Sequence, residues 1–102
     1  MGNINIAGIS LFKLYMLLET HTIDILCLQE TWMPQCSVKL DIPGYQVYEE
    51  RREKGHRGGI AMVIRKGIKI LKYIGNEYAQ GVCIQLQGGE TAWVGNVYLP
   101  PV

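Results

Sequence analysis

Apolar and polar positions along the chain fall into short runs separated by clear punctuation. Residues 2–6, Gly-Asn-Ile-Asn-Ile, alternate, which predicts a strand with Ile4 and Ile6 on one face and Asn3 and Asn5 on the other. Gly8 breaks that strand, and Ser10 can cap a helix. Leu11, Leu14, Tyr15 and Leu18 then recur at helical spacing, so a helix is expected over 11–19. Phe12, Met16 and Leu17 widen its apolar surface beyond one face, so the helix is deeply covered or a partner element is missing. Thr20-His21-Thr22 reads as the connection to a continuous apolar run, Ile23 to Leu28. That run is short and rich in apolar side chains, which fits a strand buried on both faces. It stops on Gln29-Glu30-Thr31-Trp32.

Beyond it the pattern changes to short strands and turns. Met33 to Gly44 is a loop punctuated by Pro34, Pro43 and Gly44. Strands are expected over 45–48, 60–64 and 68–74, with Lys66-Gly67 as a tight turn and Asn76 to Gln80 as a loop. Val82, Ile84 and Leu86 alternate with Cys83, Gln85 and Gln87, the signature of a half-exposed antiparallel strand. Gly88-Gly89-Glu90 reads as a hairpin turn, and a last strand, 92–98, stops at Pro100-Pro101. The order is β-α-β followed by at least five strands, with no internal repeat. It predicts an α+β or sandwich architecture of layered antiparallel or mixed sheets with one early helix.

Composition narrows the class. Of 102 residues, 48% are hydrophobic and 19% charged, which suits a globular domain and argues against disorder. The formal net charge is +1, so an anionic partner would have to be met by a local patch rather than by the whole surface. The 3 Cys (Cys27, Cys36, Cys83) form no Cys-x-x-Cys pair and read as reduced thiols of an intracellular protein. The apolar stretch 9–18 has no basic residues before it and Lys13 inside it, and it is too short to span a bilayer.

Two stretches carry candidate chemistry. Glu30 is a carboxylate just past the end of a buried strand, a rigid support for a metal ligand, although an acid there can also simply mark where the strand meets water. The run Glu49 to Arg57 reads first as a solvated charged hairpin. Its functional reading is phosphate contact by Arg51, Arg52, Lys54 and Arg57.

Asn3-Ile4-Asn5, Leu28-Gln29-Glu30-Thr31, Gly58-Gly59-Ile60-Ala61 and Gly95-Asn96-Val97-Tyr98-Leu99-Pro100-Pro101 occur in that order across nearly the whole chain. Together they resemble the N-terminal half of an endonuclease/exonuclease/phosphatase domain, in the wording of the endonucleases of non-LTR (LINE-type) retrotransposons. The resemblance implies the N-terminal half of a four-layered α/β sandwich of the DNase I-like kind. It implies Mg²⁺- or Mn²⁺-dependent cleavage of phosphodiesters, DNA as partner, and a reverse transcriptase domain in the same parent polypeptide. It gives Glu30 as the metal ligand, Asn3 as the group orienting phosphate and metal shell, and Tyr98 as the residue beside the scissile phosphate. Gln29 is a supporting residue behind the ligand. Nuclear location follows from the resemblance alone. The residue types suit the chemistry, because Mg²⁺ takes one or two carboxylates plus waters and phosphate oxygens, and amide and phenol groups donate to non-bridging oxygens.

The same resemblance predicts an Asp-x-Asn motif, a further Asp and a Ser-Asp-His, none of which occurs in the chain. Its aspartates are Asp24 and Asp41, and its histidines His21 and His56. Residues 1–102 are therefore read as a partial domain without its C-terminal half, inactive alone and with an incompletely covered core. The alternatives are a phosphatase or phosphodiesterase of the same superfamily acting on small phosphoesters, and a non-catalytic degenerate remnant.

Overall fold

The computed structural model describes residues 2–5, 11–31, 39–51 and 58–99, with backbone alone at 2–5, 11 and 12. The elements are β1 (Gly2–Asn5), α1 (Leu11–His21), β2 (Ile25–Gln29), β3 (Tyr45–Glu50), β4 (Ile60–Arg65), β5 (Lys69–Asn76), β6 (Ala79–Gln85) and β7 (Thr91–Val97). They build two sheets. The first is mixed, in the order β1-β2-β4-β3, with β1 parallel to β2 and the other pairs antiparallel. The second is an antiparallel meander, β5-β6-β7.

Alternation along β2 and β4 sorts their side chains to the two faces of the first sheet. Leu26, Leu28, Ala61 and Val63 face α1 and pack with Leu14 and Leu18, with Ile42 and Tyr45 completing that core. Ile25, Cys27, Met62 and Ile64 face the other way and meet Val82 and Ile84 of β6. The layers are therefore helix, sheet, sheet, as expected for part of a four-layered sandwich. Both faces of β2 are covered, which is why its sequence reads as an unbroken apolar run.

The outward face of the second sheet is different. Ile74, Trp93 and Val97 are 54%, 57% and 60% exposed there, around Gly81 and Gly95. A bulge in β5 helps to make this face. Pairing steps from Ile70–Ile84 to Lys72–Cys83, so Leu71 is extra. Tyr73 consequently turns inward and Ile74 outward, the reverse of strict alternation from Ile70.

Several boundaries differ from the sequence reading. Helix α1 runs on through His21, and β3 takes in Glu49 and Glu50, which were expected in the charged turn. Antiparallel pairing explains the second change, because Glu49 and Glu50 continue the ladder opposite Ala61 and Ile60. The expected loop over 76–80 is instead a tight hairpin, with Asn76 paired to Ala79. The Asn76 side chain accepts from the N–H groups of Tyr78 and Ala79 at 2.8 and 3.0 Å, a local turn bond that replaces a longer loop. Ser10, expected as a cap, lies outside the described residues. No helix among them is long and apolar enough to cross a membrane.

The end of α1 stores some backbone strain. Ile23 N–H donates to Leu18 O at 3.2 Å, and Thr22 between them has φ 51°. This is a six-residue helix-ending turn with Thr at the left-handed position where glycine is usual. The penalty for a non-glycine residue there is about 1–2 kcal/mol, partly offset by the roughly 0.5–1 kcal/mol that glycine loses in flexibility on folding. Thr22 is exposed and carries no core contact. Thr22→Gly should therefore raise the unfolding free energy by about 0.5–1 kcal/mol in urea titration; a lowered midpoint would show that its hydroxyl or methyl group does more than the backbone requires.

Candidate active site

Antiparallel pairing of β2 with β4 and of β4 with β3 brings three chain positions to one edge of the first sheet. These are the end of β2, the start of β4 and the end of β3. Parallel pairing adds the end of β1, with Asn5 level with Gln29. The second sheet contributes the end of β7, where Gln29 Nε2 donates to Val97 O at 2.8 Å. The β5–β6 hairpin is joined to the same end, since Tyr98 N–H donates to Tyr78 O at 2.9 Å.

Glu30 stands in the middle of this edge. The last β2–β4 pair is Gln29–Ile60, and Thr31 N–H donates to Gly59 O at 3.2 Å. Glu30 falls between those two contacts and has φ 56°. A left-handed backbone is uncommon for glutamate and costs about 1–2 kcal/mol. Strained positions of this kind persist where the surroundings over-determine them and gather at functional sites. The surroundings are tight: Gly59 has φ 89°, and a Cβ on it would collide with Thr31 Oγ1. Thr31 itself is buried. Glycine at 59 is therefore required twice, by its backbone angle and by the threonine against it.

The other candidate residues are distributed around Glu30. Gln29 directs its amide across to the second sheet, reaching Asn96 Oδ1 at 3.4 Å as well as Val97 O. Tyr98 follows immediately after β7 and is buried. The backbone of Asn3 lies opposite Cys27, two residues below the strand end, whereas Asn5 lies at the edge itself. Arg51 follows β3, and its guanidinium is paired with the half-buried Glu49 at 3.2 Å. The Glu49 carboxylate also accepts from Leu40 N–H at 2.8 Å. Arg52, Lys54 and Arg57 lie outside the described residues.

The sequence reading missed a buried polar network just behind this edge. Asn96, 2% exposed, directs Nδ2 to Leu28 O at 3.2 Å, Ala61 O at 3.3 Å and Gln80 Oε1 at 3.1 Å. Gln80 in turn donates through Nε2 to Tyr48 O at 2.8 Å and to Tyr73 Oη at 3.0 Å. Tyr73 Oη donates to Glu50 Oε2 at 2.6 Å, and its ring stacks on Tyr48 with centroids 4.6 Å apart. Gly75 leaves room for the Tyr73 hydroxyl, which a Cβ there would strike. A sequence signal existed. Gln80 and Asn96 are register partners, each at an inward position of an otherwise apolar alternation. Two inward polar residues side by side must satisfy each other or something across the interface.

As to a metal, no group of three or more His, Cys, Asp or Glu side chains comes together among the described residues. A Mg²⁺ or Mn²⁺ ion needs no such group, since it can be held by one or two carboxylates together with waters and phosphate oxygens. Glu30 is a carboxylate at this strand end, with the ends of β1 and β7 beside it.

Helix, mixed sheet and antiparallel sheet in this order form part of a DNase I-like α/β sandwich. Among solved structures, the chain is similar to the catalytic domain of Xenopus laevis APE2, with a TM-score of 0.77 at 19% sequence identity. The match covers 97% of this chain and 44% of that one, so the chain spans less than half of that catalytic domain. At this identity the likeness establishes the fold. No protein-family model and no curated protein sequence matches the chain.

The network makes a checkable prediction about alkaline stability. Burial, followed by the bond to Glu50, pushes the Tyr73 phenol well above its ordinary value. Burial also raises Tyr45 and Cys27. A raised value in the folded state means stability that is intact below the unfolded value, about 10 for tyrosine, and lost as pH climbs from there toward the folded value. The wild-type chain should lose stability steeply above about pH 10, and Tyr73→Phe should flatten that loss by roughly one proton. Melting temperatures from pH 8 to 11.5 measure it; parallel curves for the two proteins would remove Tyr73 from the account.

Proposed function

We propose that the chain is part of a metal-dependent phosphodiesterase, a DNA-nicking endonuclease of the retroelement kind, in which Glu30 binds Mg²⁺ or Mn²⁺. The observation that carries the reading is the position of Glu30. It is held in a left-handed conformation between two pinned backbone contacts, at the edge where β1, β2, β4 and β7 meet. The likeness in fold to the APE2 catalytic domain supports reading that edge as part of a catalytic one. The wording around Gln29-Glu30-Thr31 and Asn96-Val97-Tyr98 favours the retroelement enzymes over phosphatases.

A cation on Glu30 would supply charge neutralisation for the oxygens of a phosphodiester. The remaining work belongs to the chain. Gln29, bonded to β7, keeps the backbone beneath Glu30 from relaxing. Tyr98 and Asn3 are the donors proposed for non-bridging oxygens, a role open to both phenol and amide groups. A general base needs a positioned His or Asp within hydrogen-bond reach. The aspartates Asp24 and Asp41 fall at the start of β2 and before β3, away from the Glu30 edge. The 102-residue chain by itself is therefore proposed to bind the ion without cutting. DNA, and a reverse transcriptase in the parent polypeptide, are the partners proposed for the whole protein.

Titration of the ¹⁵N-labelled chain with Mg²⁺ tests this. Saturable shifts should centre on Glu30 and its neighbours and vanish in Glu30→Gln, while plasmid incubated with chain and Mg²⁺ stays supercoiled. Equal shifts in Glu30→Gln would remove the metal assignment. Nicking that Glu30→Gln abolishes would overturn the inactivity of the chain alone.

A further inference from the structure

We infer that Asn96 is a positioning residue for the Glu30 metal site, setting its affinity by fixing the backbone from which Glu30 projects. The inference rests on the reading of Glu30 as a ligand and goes beyond it, because Asn96 is buried behind the edge and bonded to main chain there.

Three observations carry it. First, Asn96 is joined to both strands that hold Glu30. Its Nδ2 reaches Leu28 O on β2 and Ala61 O on β4, and those two residues are register partners. Leu28 is two residues before Glu30 and Ala61 two after Gly59, so the amide sits beneath the point where the strands part. Second, the acceptor end of the same side chain takes Gln29 Nε2, whose other acceptor is Val97 O. Residues 28 and 29 of one sheet are thus bonded to residues 96 and 97 of the other. Glu30 and Tyr98 are the next residues on each chain segment, so their separation is governed by these bonds. Third, the side chain is buried and otherwise surrounded by satisfied groups, with Gln80 Oε1 as its remaining partner. A group so placed cannot be replaced by solvent if it is removed.

The residue type is specific. Only a primary amide offers N–H donors to main-chain oxygens and, on the same short side chain, an oxygen to accept from Gln29. Aspartate would set a carboxylate against two carbonyl oxygens, and leucine would leave Leu28 O and Gln29 Nε2 without this partner. Either change frees the end of β2, whose left-handed Glu30 backbone is under strain and relaxes when released. Groups that orient a ligand from behind typically contribute about 10–100-fold in metal affinity.

The test is Mn²⁺ binding to the 102-residue chain, read by water-proton relaxation. Ile84→Ala in the inter-sheet core is the stability control, because it weakens sheet packing without touching residues 28, 29 or 30. Asn96→Leu should weaken Mn²⁺ by about ten-fold or more, with Ile84→Ala within about two-fold of wild type. Asn96→Leu binding like wild type, or both variants losing affinity equally, would overturn the positioning role. Unchanged binding in Glu30→Gln would overturn the metal reading and this role with it, which separates the two failures. Should Asn96→Leu not fold, the unsubstituted chain still decides. The Asn96 side-chain NH₂ resonances should shift on Mg²⁺ titration with the same midpoint as the Glu30 amide, and resonances that stay fixed while Glu30 moves would overturn the inference.

Discussion

The contact on which the rest of the structure depends is the amide of Asn96 at the interface of the two sheets. Apolar packing alone leaves two stacked sheets free to slide, because burial is non-directional and nearly indifferent to small shifts. Ile25, Cys27, Met62 and Ile64 against Val82 and Ile84 are packing of that kind. Asn96 and its neighbour Gln80 are directional. Each must find partners at hydrogen-bond distance or be left buried and unsatisfied, at a cost of about 1–3 kcal/mol per group. Their partners are main-chain oxygens of Leu28, Ala61 and Tyr48 on β2, β4 and β3, so one pair of side chains reads the position of three strands at once.

That anchoring explains why strain can be held at Glu30. Residues before it are tied to β7 and those after it to Gly59, so the torsion between is fixed from both sides. The same arrangement accounts for Gly59, whose missing side chain admits Thr31. Charge is managed differently nearby. Arg51 is satisfied by Glu49 and Tyr73 by Glu50, so the acids that end β3 are engaged in holding the fold together. In the sequence, those acids belong to one undivided charged run. In the structure, they alternate across the sheet, Glu49 to the side of Leu40 and Glu50 to the inter-sheet side.

How much was legible follows from which forces are local. The strand expected over 23–28 and found at Ile25–Gln29, its two-sided burial and the acid after it were readable because hydrophobic periodicity and chain punctuation are properties of the sequence itself. The hairpin at Asn76 and the extension of β3 through Glu50 were misread because polar residues can continue a ladder when the opposite strand offers partners. The bulge at Leu71 could not be read at all. It exchanges the faces of Tyr73 and Ile74, and its cause is pairing with β6 rather than anything in residues 68–74. Asn96 was in view as part of a motif, but its role needs the identity of what lies across the interface. The left-handed angle of Glu30 likewise depends on the contact of Thr31 with Gly59, 28 positions further along the chain.

The unevenness of the second sheet bears on the same site. Its inner face carries the amides that fix Glu30, while its outer face leaves Trp93, Ile74 and Val97 exposed about two glycines. Apolar side chains grouped on an exposed sheet face lose the stabilisation that burial would give them, about 25 cal/mol per Å². The strand β7 belongs to both faces: Asn96 inward, Val97 outward, with Val97 O accepting from Gln29. A shift of that weakly covered strand therefore acts on the backbone just before Glu30, at Leu28 and Gln29. The side chain that fixes the end of β2 thus stands on a strand whose other face is poorly covered, so the rigidity of that end depends on the coverage of β7. The backbone geometry at Glu30 and the packing of the outer face of β7 are then linked, joined by the Asn96 side chain.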